Sequence, residues 1–98
     1  MSDICIELVV YKVRNAQEVL AARREVIPII EQFDGFKSWT ALQSMTDENV
    51  FSDYGVWENR DKAKAAAKQF ETDKRFSDFA KTIEKIISFQ HYKITDQK

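Results

Sequence analysis

The chain is poor in the residues that break, staple or hinge a fold. Its 98 residues hold one cysteine, one proline and two glycines. A lone cysteine, Cys5, excludes an intramolecular disulfide. It also has no basic neighbour in sequence to make it a reactive thiolate. With one histidine (His91) and no clustered Cys, Asp or Glu spacing, a metal site has too few ligands. Gly35 and Gly55 alone cannot build a phosphate-binding loop. There is no Gly/Pro/Ser-rich linker, no low-complexity tract and no repeat, so the expectation is a single domain over 1–98. Charge of one sign is missing too: 15 basic and 16 acidic residues give a net charge of −1. That balance argues against nucleic acid or an anionic membrane as partner. The first stretch, "MSDICIELVVYKV", lacks a basic leader and Glu7 interrupts its apolar run. It reads as neither a signal peptide nor a membrane span, and the expected compartment is the cytoplasm.

What is present is an ordered succession of patterns. Residues 4–13 alternate and are rich in β-branched side chains, which predicts a strand covered on both faces. Asn15 offers a helix cap with Glu18 three residues on. Val19, Leu20, Val26, Ile27, Ile30 and Phe33 then keep helical spacing, with Arg23 interrupting the stripe. Pro28 is expected to kink or split that helix. Gly35 is expected at its C′ position. Residues 36–45 and 50–58 read as a hairpin around the turn 46–49. Asn59 caps a second helix through Ala63, Ala66, Ala67 and Phe70. A break at 71–74 follows, with Thr72 or Asp73 as a fresh cap. Phe76, Phe79, Ala80, Ile83, Ile86 and Ile87 predict a further helical stripe, and 89–95 a last strand.

The order βαββαβ predicts a ferredoxin-like α+β plait: a four-stranded antiparallel sheet with its helices on one face. The face away from the helices should be polar in a monomer. Here each strand carries large apolar residues at both parities, such as Leu8 and Val9, or Trp39 and Leu42. A homodimer packed sheet on sheet would bury them.

The pieces "IELVVYKV", "FDGF", "FKSWTAL" and "VFSDYGVWENRDKAKAA" together resemble the dimeric α+β barrel superfamily, in its antibiotic-biosynthesis-monooxygenase-like branch. The resemblance covers nearly the whole chain, through motifs that are mostly fold determinants. It implies a homodimer with a small-molecule pocket between sheet and helices in each subunit. It also implies, for some members, cofactor-independent monooxygenation of phenolic or quinol-type aromatics. Pocket positions carried over by the resemblance are Trp57 and, four residues earlier, Asp53, where the family often has Asn. Haem-degrading relatives carry a histidine on the helix after the Trp. Ala66 and Ala67 stand there in this chain, which argues against haem and leaves no cofactor expected.

Each candidate has a plainer reading beside the functional one. Trp57 is a pocket wall or a core tryptophan. Asp53 is a base if buried, and otherwise a solvent-exposed carboxylate near the hairpin end. Glu7 sits in a pocket or pairs with a cation. His91 is a general base or a strand histidine at an interface rim. Tyr11, Tyr54 and Trp39 line a pocket or are simply packed. Arg23 reaches a ligand oxygen, or its stem snorkels outward. The expected function is binding, with possible oxygenation, of a small aromatic ligand. The alternatives are a non-catalytic dimeric module and, from the shared strand order, an RNA-recognition module, which the missing basic patch disfavours.

Overall fold

The computed structural model describes residues 3–98. Its elements are β1 (Cys5–Val13), α1 (Ala16–Ile30), β2 (Phe36–Gln43), β3 (Val50–Trp57), α2 (Arg60–Thr72), a 3-10 turn (Lys74–Phe76), α3 (Ser77–Thr82) and β4 (Ile83–Tyr92). The four strands form one antiparallel sheet in the order β2-β3-β1-β4. This is the ferredoxin-like plait that the order of patterns predicts.

Local chemistry sets most boundaries. The Asn15 side chain accepts a hydrogen bond from the Glu18 amide at 3.1 Å, and Asn59 accepts from Lys62 at 2.9 Å. Each meets one of the amides that a helix start leaves without partner. Of the two expected caps at the break, Asp73 serves, accepting from the Arg75 amide at 2.9 Å. Pro28 neither splits nor ends α1 early. It falls in the last turn, where losing one donor interrupts little. Gly35 is not the C′ residue of α1, which ends five positions before it. It sits in the turn into β2 at φ +84°, and a Cβ there would lie 2.5 Å from Cβ of Lys62. Both facts require glycine.

The sharpest departure from expectation is at 83–87. These residues open β4 rather than continue a helix. The register explains the mistake. Ile83, Ile86, Phe89 and His91 lie opposite Val13, Tyr11, Val9 and Glu7, while Glu84 and Ile87 are skipped as irregularities. Two inserted residues turn a period of two into spacings near three, which mimic a helix face. The strand also ends at Tyr92 rather than at 95.

Pairing assigns the faces. Cys5, Glu7, Val9, Tyr11 and Val13 of β1 share the helix-covered face with Phe51, Asp53, Gly55 and Trp57 of β3. Helix α1 lays Val19, Arg23, Val26 and Ile30 on that face, and Phe33, Phe76 and Phe79 close the core. The aromatic rings meet edge to face, as in Tyr11–Phe79 (6.0 Å between centroids) and Phe36–Trp57 (5.8 Å). The opposite face has no helix. It presents Ile6, Leu8, Val10 and Val56, with Leu42, Tyr54 and Tyr92 exposed.

Candidate functional site

Helices and sheet do not meet everywhere. Between them lies a cavity of about 440 Å³. Its floor is the covered face of the sheet: Glu7, Val9 and Tyr11 from β1, Trp39 from β2, Asp53 and Trp57 from β3. Its roof is apolar, with Ile30, Phe33, Ala66 and Phe70. Phe79 and the start of β4 complete the wall, where Ile86 and Phe89 are half exposed and mark the way in. Small residues at 66 and 67 leave room where larger ones would fill it.

Trp57 is both things the sequence allowed. It is 1% exposed and packed on Phe33 and Phe36, and it also lines the cavity. Trp39 lies near it across Gly55. A Cβ at Gly55 would meet the Trp39 ring at 3.0 Å and the Trp57 Nε1 at 3.1 Å. The bare glycine is what lets two indoles share that patch of sheet. Both indole N–H groups are buried; that of Trp57 has no hydrogen-bond partner, and that of Trp39 faces the Asp53 carboxyl outside hydrogen-bond geometry. Buried donors of this kind are rare in a finished core.

Asp53 is 3% exposed, so the reading as a solvent-exposed carboxylate near the hairpin end is corrected. Residue parity on β3 turns it under the helices with Trp57. Its Oδ2 accepts from the Tyr11 hydroxyl at 2.8 Å. Its Oδ1 lies 2.9 Å from Nη2 of Arg23, outside hydrogen-bond geometry. Arg23 is likewise not an outward, snorkelling residue: it is 4% exposed. Its Nη2 donates to the Tyr11 hydroxyl at 2.9 Å and to the carbonyls of Leu42 and Ser52, and its guanidinium stacks 4.9 Å from the Phe51 centroid. It stands behind Asp53 and is not itself part of the cavity wall. Burial pushes the Asp53 carboxyl above its ordinary range, while Arg23 and the Tyr11 hydroxyl push it back. Burial likewise pushes the Tyr11 phenol up.

Glu7 is the site residue that sequence reasoning left undecided. It is 7% exposed, lines the cavity, and its Oε2 lies 2.9 Å from Nε2 of His91 on the neighbouring strand. Its inward parity on β1 was the available signal. His91 does not touch the cavity; it backs Glu7. Tyr54 is not a pocket residue. It is one position from Asp53, so the pleat sends it to the open face. Of the expected site residues, Trp57, Trp39, Tyr11 and Asp53 converge, Arg23 and His91 stand one layer behind, and Tyr54 lies apart. Cys5 is buried, and burial pushes its thiol up, which suits an inert residue. Among the described residues no group of three or more His, Cys, Asp or Glu could hold a metal ion. No described helix is long and apolar enough to cross a membrane.

The sequence matches no family model and no curated protein. Solved structures do match. SnoaB, a cofactor-independent oxygenase from Streptomyces nogalater, superposes with a TM-score of 0.76 at 15% identity, covering 99% of this chain and 96% of that one. A protein assigned as an antibiotic biosynthesis monooxygenase from Bordetella bronchiseptica gives 0.80 at 12% identity, covering 98% and 97%. One so assigned from Nitrosomonas europaea gives 0.74 at 16%, covering 96% and 90%. The chain therefore has the fold of the antibiotic-biosynthesis-monooxygenase-like structures over its whole length.

Proposed function

We propose that the protein binds a phenolic or quinol-type aromatic molecule in the cavity and oxygenates it without a cofactor. The observation that carries this reading is the pair of buried indole N–H groups in the cavity wall, Trp57's without any partner and Trp39's facing Asp53 outside hydrogen-bond geometry. A flat ligand with an acceptor oxygen would supply what they lack. The lining also holds four carboxylates, Glu7, Asp53, Glu71 and Glu84, against one cation, Lys85. That excess disfavours a ligand with a carboxylate of its own; a neutral phenol enters without added charge, and passing its proton to a lining carboxylate leaves the net charge of the cavity unchanged. The fold shared with a cofactor-independent oxygenase supports the reaction class.

In this reaction the substrate supplies the electrons. Loss of a proton makes the ring electron-rich, O₂ accepts from it, one oxygen atom enters the ring and the other leaves as water. The chain's part is to bind and orient the ring, take the proton and exclude bulk water. Trp57, Trp39 and Tyr11 are the walls. The proton goes to a carboxylate of the cavity floor, where Asp53, held by Arg23, and Glu7, paired with His91, both stand.

The reading includes a homodimer packed on the open sheet face, where Leu8, Val10 and Val56 lie unshielded by helices. It assigns no nucleic acid and no membrane as partner. A single buried cysteine suits the reducing cytoplasm.

The test is oxygen uptake with a hydroxylated anthrone, in the presence of a chelator. Uptake above the spontaneous rate, lost in Trp57→Ala, is the expected result. Calorimetric binding without extra uptake would leave a non-catalytic ligand-binding module. Absence of binding would sink both.

A further inference from the structure

We propose that Glu7 is the group that takes the phenolic proton and that His91 passes it from Glu7 to solvent; this rests on the aromatic-ligand reading above. The geometry separates the two carboxylates of the cavity floor. Asp53 is held by cations and donors on its own side: its Oδ2 accepts from Tyr11, and its Oδ1, without a hydrogen bond, lies 2.9 Å from the Arg23 guanidinium. Glu7 lines the same cavity and has one oxygen, Oε2, paired with His91 Nε2 at 2.9 Å, leaving Oε1 unassigned. The two residues are direct cross-strand partners of β1 and β4. Directly opposite side chains on one face are within easy reach of each other, so the pair is built by the register itself. The His91 side chain is 20% exposed against 8% for Glu7, so the pair runs from the interior outward. The Phe89 ring stands perpendicular to the imidazole, with the ring centroids 5.6 Å apart.

The transfer balances. The phenol O–H breaks and its electron pair stays on the phenolate oxygen. A Glu7 carboxylate oxygen gains the proton and then yields it to His91 Nε2. The ring releases a proton from its other nitrogen to water, the carboxylate is restored, and exchange of the remaining proton from Nε2 to Nδ1 through solvent returns the imidazole to the accepting tautomer. Burial pushes the Glu7 carboxyl above its ordinary range, which strengthens it as a base, and the His91 contact opposes the rise. The charged groups that act on Glu7 are His91 and, from β3, Asp53 with Arg23 of α1 behind it; Glu71 of α2 and Glu84 and Lys85 of β4 line the same cavity, the last two at the far end of β1. Glu7 is thus the catalytic residue, and His91 is a positioning and relay residue.

The probe is 1,8-dihydroxyanthraquinone, yellow as the neutral phenol and red as the phenolate. Binding is read by calorimetry and ionisation by visible absorbance, at a pH where the free probe is yellow. Wild type should bind it red. Glu7→Gln should bind it with retained affinity but yellow. In His91→Gln, the Glu7 carboxyl, identified by ¹³C NMR through its absence in Glu7→Gln, should titrate at higher pH than in wild type. A red complex with Glu7→Gln overturns the proposal and leaves the binding reading intact. A Glu7 carboxyl whose titration ignores His91→Gln overturns it without any ligand. A wild-type protein that does not bind the probe counts against the aromatic-ligand reading, and the NMR titration then decides the Glu7–His91 pair by itself.

Discussion

A buried ion pair is revealed by removing one half of it. Arg23 and Asp53 are both under 5% exposed and sit on α1 and β3 with Tyr11 between them. Arg23→Met strands a carboxylate in the core and should lower stability by about 3–5 kcal/mol at neutral pH. Arg23→Met/Asp53→Leu should be less damaging than the two single changes summed, with a coupling of about 0.5–3 kcal/mol in a urea-unfolding cycle. Glu7 and Asp53 both have folded-state pKa values raised by burial. A raised acid binds its proton more tightly folded than unfolded. The contribution of these two groups to stability should therefore be full below the ordinary carboxylate range and be lost as pH climbs through the raised values, by about 1.4 kcal/mol for each unit of elevation. Glu7→Gln should flatten that slope in urea midpoints taken from pH 4 upward. None of this pairing was legible in the chain. Thirty positions separate Arg23 from Asp53, and a lone arginine in an apolar stripe reads as a blemish until a carboxylate is placed opposite it.

Elements were easier to read than residues because their signals are local. Both asparagine caps and the aspartate cap at the break stand where the chain advertises them. Asn59→Ala should lower stability by about 1 kcal/mol, with α2 the segment that loses amide-exchange protection. The strand β4 was misread for a definite physical reason. Its two irregularities displace the pleat, and a displaced pleat spells a helix. Glycine carries two different messages in the two places it occurs. Gly35 answers to backbone angle as well as to Lys62 beside it, whereas Gly55 answers only to what lies above it. Gly55→Ala should push the two indoles apart, lower stability by about 1–3 kcal/mol and weaken calorimetric binding of the anthraquinone probe more than it weakens the fold. A purely structural glycine would show stability loss with affinity kept.

For the whole molecule, composition and order of patterns were enough to reach the plait, since βαββαβ with helices on one side admits few arrangements. The cavity was not reachable that way. It depends on small residues at 66 and 67 and on where β4 shifts its register, neither of which announces a void. The open sheet face carries the last prediction. Leu8→Glu places a charge at the centre of that face and should convert a dimer into an 11.5 kDa monomer in sedimentation equilibrium. The lost burial is about 1.5–3 kcal/mol for each copy. A wild-type monomer at the same concentration would remove the dimer from the reading. The chain has two tryptophans, and both line the cavity. Nearly all of the protein's intrinsic emission therefore originates within one site, with no distant indole to dilute it. Occupancy, polarity and entry of quencher can be followed by light from the unlabelled protein, and each photon reports on the same few ångströms.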